Sequence, residues 1–84
     1  MQLFTYKYKG ETLNAVAMAY MDEGICRYRV IIENNLRITI SPVSIPGTEG
    51  SVIWVQSNKS GEIPQPHDLV QAFGEGLSNA GIAK

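Results

Sequence analysis

Apolar and polar residues alternate along the first half of the chain, from Leu3 to Ser41, and short turn signals interrupt the alternation. A period of two places successive side chains on opposite faces of a β-strand, so strands joined by short turns form an antiparallel meander. A two-residue turn at Gly10-Glu11 suits a type II′ hairpin, which favours glycine at its first position. We therefore expect Tyr8 to pair with Leu13 across the first hairpin.

Two later turns follow from the requirement that one face of the sheet stays apolar. A two-residue turn at Glu23-Gly24 keeps the apolar side chains of the second and third strands opposite one another. For the third hairpin, a two-residue turn at Asn34-Asn35 would set apolar residues against polar ones. A three-residue loop at 33–35 instead pairs Ile32 with Leu36 and keeps the apolar face continuous, so we expect this loop.

Prolines and glycines end the alternating pattern in the second half of the chain. We expect the fourth strand to end at Ser41-Pro42, followed by a loop at 42–50 and a fifth strand at 51–57. Apolar residues then recur at helical spacing, which predicts a helix from about Pro66 to Ala80. The pattern predicts an α+β fold, with an antiparallel meander sheet of about five strands and one C-terminal helix packed on one face. It leaves open whether the fifth strand lies beside the fourth or beside the first.

Three residues of this second half bear on packing. Gly74 and Gly76 weaken a helix relative to alanine, so either the helix approaches the tyrosines of the sheet closely, or it kinks, or these positions are simply unoptimised. Trp54 has apolar neighbours on both sides, which predicts burial in the core or in an interface. The loop at 42–50 is either an ordinary connection or a mobile binding segment.

Length and composition restrict the class of protein. A chain of 84 residues predicts one domain over residues 1–84, because two halves would each lie near the roughly 40-residue limit for an unstapled domain. One cysteine and one histidine exclude an intramolecular disulfide and a four-ligand Cys/His zinc site. A net charge of −1 and a charged fraction of 18% disfavour a disordered chain and a strongly basic nucleic-acid-binding domain.

Targeting signals are not evident in the sequence. The first residues contain no basic region followed by an apolar segment, which a secretory leader would need. The longest uninterrupted apolar stretch, Ala15 to Met21, has seven residues, whereas a membrane-spanning helix needs roughly 20. We therefore expect a cytoplasmic protein without a membrane contact.

Charge is sorted between the two faces of the predicted sheet. The apolar face is the one that the helix covers, and we call the opposite one the open face. Acidic residues are predicted in turns, in loops or in the helix, so no acidic residue is expected within a strand on the open face. Five of the seven basic residues are predicted to project from this face: Lys7, Lys9, Arg27, Arg29 and Arg37.

The open face also carries apolar and aromatic residues, and three interpretations compete. It is a solvated surface on which long basic side chains cover apolar neighbours, a protein-binding surface, or a polyanion-binding surface. We favour a small non-catalytic module that binds a protein partner or itself, as a homodimer, through this face. The predicted partner-binding residues are Met18, Tyr20, Arg27, Arg29, Ile31 and Arg37.

The alternative function is weak binding of an anion or a single-stranded nucleic acid. It would use the five basic residues of the open face, Lys7, Lys9, Arg27, Arg29 and Arg37. The acidic pI of 5.7 opposes it, as does the single aromatic residue on this face, Tyr20, where base stacking would need two or three. Nucleic acid is therefore the less favoured partner.

Catalytic groups are sparse in this chain. A nucleophile and base pair would require His67 to lie beside Cys26. Cys26 is predicted on the covered face, where cysteine behaves as a small apolar residue, and His67 begins a helix. We therefore expect no enzyme activity, no cofactor and no metal site.

Overall fold

The computed structural model describes residues 1–32, 36–57 and 62–83. Its elements are β1 (Gln2–Tyr8), β2 (Glu11–Asp22), β3 (Ile25–Ile32), β4 (Leu36–Ser44), β5 (Val52–Gln56) and α1 (His67–Asn79). The five strands form one antiparallel sheet in the order β1-β2-β3-β4-β5, and α1 packs against it. This architecture confirms the predicted α+β meander and places the fifth strand beside the fourth.

The first hairpin turns one residue earlier than the sequence predicts. Lys9 and Gly10 occupy the turn with φ values of 50° and 78°, the pair of positive angles that a type I′ turn requires. Tyr8 therefore pairs with Glu11, and the predicted pairing with Leu13 was wrong. Because the register changes by two residues, the strand residues keep their predicted faces. Lys9 does not, since it lies in the turn and not on the open face.

The second and third hairpins have the predicted registers. Glu23 and Gly24 form a two-residue turn with φ values of 52° and 78°. Ile32 lies opposite Leu36, as a three-residue connection requires. The connection itself, residues 33–35, falls outside the described residues.

The fourth strand is longer than predicted, because the proline within it costs no hydrogen bond. Pro42 lies opposite Trp54 in the β4 and β5 pair, whereas we expected the strand to end at Ser41-Pro42. Backbone groups alternate sides along a strand, and the Thr39 carbonyl accepts from the Ser57 N–H at 2.8 Å on the β5 side. The missing N–H of Pro42 therefore points towards β3, where pairing has already ended at Tyr28 and Ile40.

The helix has the predicted extent and a defined C-terminus. Pro66 precedes the first helical residue, a position where the missing N–H is harmless. Gly81 adopts a φ of 76° just after the helix, and the N–H groups of Ile82 and Ala83 donate to the Leu77 carbonyl. This arrangement satisfies carbonyl groups that would otherwise remain unpaired at the helix end.

The sheet curls around the helix, so that α1 contacts both edge strands, β1 and β5. On the β5 side, the Gln71 side-chain amide accepts from the Trp54 N–H at 2.9 Å and donates to the Trp54 carbonyl. Gln71 thus replaces a neighbouring strand on this edge. On the β1 side, Gly76 lies against the Thr5 backbone. The helix therefore fills the gap between the two edges.

The core lies between α1 and the covered face of the sheet. Trp54 is buried there, as predicted, and its ring contacts that of Tyr28 edge to face. Of the three alternatives for the helical glycines, the structure shows close approach to the sheet, at Tyr6 for Gly76 but at Trp54 for Gly74. The buried residues of this core are Phe4, Tyr6, Ala15, Ala17, Tyr28, Val30, Ile38, Ile40, Trp54, Val70, Phe73, Leu77 and Ala83.

Candidate interaction surface

The open face is the convex side of the sheet, opposite α1. Large apolar side chains remain exposed on it: Leu3 is 71% exposed, Met18 40% and Ile25 46%. Val43 and Val55 continue this exposed apolar surface onto β4 and β5. The face is therefore neither uniformly polar nor covered by the helix.

The six predicted partner-binding residues lie on three adjacent strands, β2, β3 and β4. Their register places Met18 opposite Arg29, Tyr20 opposite Arg27, and Ile31 opposite Arg37. Met18 and Arg37 are exposed, and the other four are half-buried. The structure thus brings together the residues that the pattern assigned to one surface.

Arg27 is held in place by two neighbours on the open face. Its Nε lies 3.1 Å from a carboxylate oxygen of Asp22, and its guanidinium donates to the Ser57 hydroxyl at 2.7 Å. Asp22 was predicted in a turn, but it is the last residue of β2, on the same face as Arg27. The expectation that every acidic residue lies in a turn, a loop or the helix was therefore wrong for Asp22.

Arg29 is also ordered by a neighbour. Its guanidinium lies over the ring of Tyr20, 5.4 Å from the ring centroid, which is within the range of a cation–π contact. Because Tyr20 pairs with Arg27, the two arginines and the tyrosine form one group of packed side chains. We call Tyr20, Arg27 and Arg29 the arginine–tyrosine cluster.

A second carboxylate lies beside this cluster, from a residue that sequence reasoning did not single out. Glu62 accepts hydrogen bonds from the Thr39 N–H and from the Thr39 hydroxyl, both at 2.7 Å. Thr39 is fully buried and lies opposite Arg29 on the open face. Glu62 thus caps β4 beyond the end of β5, and the open face carries less positive charge than predicted. No local pattern identifies this contact, because 23 residues separate the partners.

The basic residues of the alternative site are not gathered in one place. Lys7 lies on β1 opposite Thr12, away from the arginines of β3. Lys9 lies in the first turn, where its ammonium is 5.4 Å from the centroid of the Tyr8 ring. Arg37 is exposed at the start of β4. The five residues therefore do not form a continuous basic track.

The 42–50 segment is partly strand and partly hairpin loop. Its first three residues belong to β4. The Ile45 N–H donates to the Ser51 carbonyl at 3.1 Å, and the Thr48 hydroxyl donates to the Ile45 carbonyl at 2.9 Å. These bonds match the ordinary connection that we considered for this loop.

The candidate thiol dyad is not assembled. Cys26 is half-buried on β3, next to Tyr28, and His67 is exposed at the helix start. Within residues 1–32, 36–57 and 62–83, no hydrogen bond joins the two side chains, and no group of three or more His, Cys, Asp or Glu residues has the arrangement of a metal site.

Tyr28 gives the fold a predicted sensitivity to alkaline pH. Burial raises the pKa of Tyr28 from 10.0 to about 12, and Cys26 adds to the effect through a hydrogen bond and through negative charge. Between these two values the unfolded chain releases the Tyr28 proton and the folded chain retains it. The contribution of Tyr28 to the free energy of unfolding is therefore fully present below pH 10. It falls by about 2 to 3 kcal/mol as the pH rises towards 12.

Urea denaturation at about pH 9 and about pH 11 measures this loss. Tyr28→Phe is the matched control, because it retains the ring and removes the ionisable group. We expect the variant to lose less stability than the wild type between the two pH values. Equal losses would contradict the assignment to Tyr28.

Comparison with known proteins gives no relative for this chain: no family model matches it, and neither a curated protein nor a solved structure is detectably similar. Within the described residues, no helix is long and apolar enough to cross a membrane.

Proposed function

We propose that this protein is a small non-catalytic module that binds a partner protein through the open face. The observation that carries the proposal is the arginine–tyrosine cluster. Its side chains are held by contacts with their neighbours and lie beside the exposed side chain of Met18. Tyrosine, arginine and methionine are enriched in protein interfaces, and tyrosine and arginine also dominate binding energy.

The arginine side chains of the cluster are already ordered before a partner binds, which supports this assignment. A long side chain that becomes immobile on binding costs roughly 0.5 to 1.5 kcal/mol. Arg27 is already held by Asp22 and Ser57, and Arg29 already lies over Tyr20. The cluster therefore offers binding energy at a reduced entropic cost.

The expected partner surface combines apolar side chains with carboxylates. Apolar groups match Met18 and Ile31 at the centre of the face, and carboxylates match Arg37, which is exposed beside Ile31. Two copies of this chain meeting face to face would bring like-charged arginines together, which is unfavourable. A different protein is therefore the better occupant of this face than a second copy.

Site-specific photo-crosslinking tests the proposal in cells of the natural source. A photo-reactive amino acid at Met18 reports on the open face, and the same group at the exposed Ser78 of α1 is the control. We expect Met18 to form an adduct with a protein other than this chain, and we expect no such adduct at Ser78. Equal adducts at both positions, or none at either, would contradict the proposal.

The affinity of the partner so identified is then measured for purified variants of this protein. We expect Met18→Ala and Arg29→Ala each to weaken binding at least about tenfold, as interface hot spots do, and the exposed helical variant Glu75→Ala to leave it unchanged. Retention of single-stranded poly(U) at low salt, abolished by Arg27→Ala with Arg29→Ala, would instead favour the nucleic-acid alternative.

A further inference from the structure

The edge of β2 is open where β2 extends past β1. Pairing between the two strands ends at Gln2 and Ala17, whereas β2 continues to Asp22. Backbone groups alternate along an antiparallel strand, and Asp22 flanks a two-residue turn, so its N–H and C=O face β3. The N–H and C=O groups of Ala19 and Met21 therefore point to the opposite side, beyond the end of β1. No described residue forms a hydrogen bond with them there.

This edge differs from the other two edges of the sheet. Gln71 caps β5 at Trp54, and α1 abuts β1 at Thr5. Natural edge strands are usually blocked by charge, proline or a covering element. Ala19 and Met21 carry no such protection, and Met21 is 66% exposed.

A groove of about 340 Å³ lies beside this edge on the covered side of the sheet. Its walls are formed by residues of β2, of the segment after α1 and of the start of the chain: Ala17, Met18, Ala19, Gly81, Ile82, Met1 and Gln2. Met21 lies on the same face as Ala19 but two residues further along the strand. The edge therefore presents an exposed methionine and, next to it, a groove that fits an apolar side chain.

We propose that two copies of this chain pair through the free edges of their β2 strands, antiparallel and centred on Tyr20. In this register Ala19 lies opposite Met21 of the second copy, so the N–H and C=O groups of both residues are satisfied in both copies. Each Met21 side chain enters the groove beside Ala19 of the other copy. The proposal does not rest on the function of the open face.

Charge selects this register over its neighbours. With Tyr20 opposite Tyr20, each Asp22 lies opposite Met18 of the other copy, and Met18 in turn pairs with Arg29 on the same face of the sheet. A shift of the second copy by four residues would set Asp22 against Asp22, and like charges directly opposite destabilise a sheet. The acidic end of each β2 thus approaches the basic side chain of the other copy.

Disulfide trapping tests the register directly, in a Cys26→Ser background that removes the natural thiol. Directly opposite residues of a non-hydrogen-bonded pair have Cα atoms about 4.5 Å apart, which suits a disulfide. Tyr20→Cys should therefore form a covalent dimer on mild oxidation. Met18→Cys is the matched control, because four residues of offset separate its two copies by roughly 14 Å. Equal crosslinking of the two variants would overturn the proposal.

Sedimentation of the full chain without the Tyr20 substitution gives an independent measurement. We expect a reversible dimer in the wild type, and at least tenfold weaker dimerisation in Met21→Lys, which places a charge on the free edge. Ile25→Lys is the control, since Ile25 is exposed at the same hairpin end but lies on β3, away from the edge. A wild-type chain that remains monomeric at millimolar concentration, or equal effects of the two lysines, would overturn the proposal.

Discussion

Gly76→Ala is expected to abolish folding or to destabilise the domain severely. A Cβ atom at this position would lie 2.5 Å from the Thr5 carbonyl oxygen, 3.0 Å from Tyr6 Cβ and 3.1 Å from Phe4 Cδ2. The first contact is with the backbone, so no change of side-chain conformation relieves it. Either β1 or α1 would have to move, and both take part in the core between the sheet edges.

The sign of the effect distinguishes this steric contact from helix propensity. Propensity alone predicts that alanine stabilises an interior helical position by about 1 kcal/mol relative to glycine. We expect instead a loss above about 3 kcal/mol, beyond the usual cost of overpacking, because the contact involves backbone. Ser78→Ala, at an exposed position of the same helix, is the control and should change stability by less than about 0.5 kcal/mol. Denaturant unfolding measures both variants, and a Gly76→Ala protein as stable as the wild type would exclude the contact.

The two faces of the sheet could be predicted because a register error of two residues leaves the alternation of apolar and polar side chains unchanged. The sequence predicts the first turn one residue late, because glycine favours the first position of a type II′ turn, whereas in the structure Lys9 takes that position with a positive φ. The resulting register error was two residues, which preserves the face of each paired side chain. An error of one residue would have moved Tyr6 and Tyr8 out of the covered face.

The candidate surface was predictable in outline, but its local chemistry was not. Period-two counting placed Tyr20 beside Arg27, as observed. It could not show that Ser57 and Glu62 approach the same face, because these contacts depend on how the chain leaves β5. Nor could it show the Gln71 bonds to β5, since an amide on a helix carries no signal for a strand edge.

The position of β5 is another feature that local patterns leave open. Its own residues are apolar on both faces, which is compatible with either edge of the sheet. Pairing with β4 allows Trp54 to lie over the core and lets the helix reach β1 and β5 together. The choice is therefore made by packing of the helix and not by the strand sequence.

Gly74→Ala is expected to be nearly as damaging as Gly76→Ala, but for a reason that a second substitution can remove. A Cβ atom here would lie 2.1 Å from both Cγ and Cδ1 of Trp54 and 2.2 Å from its Cδ2. These ring atoms are buried, and the backbone of Trp54 is fixed by Gln71, so the ring has little room to turn away. We expect a loss of about 3 kcal/mol or more.

A double-mutant cycle separates this contact from any intrinsic defect of alanine in the helix. Trp54→Ala removes the ring and should itself cost about 3 to 5 kcal/mol, so the cycle is measured with a stabilising osmolyte. In that background Gly74→Ala should be neutral or should stabilise by up to about 1 kcal/mol, because only helix propensity remains. Gly76→Ala should stay destabilising in the same background, since its contact is with β1 and not with Trp54. If Gly74→Ala lowers the free energy of unfolding as much in the Trp54→Ala background as in the wild type, contact with the Trp54 ring is not the reason that position 74 requires glycine.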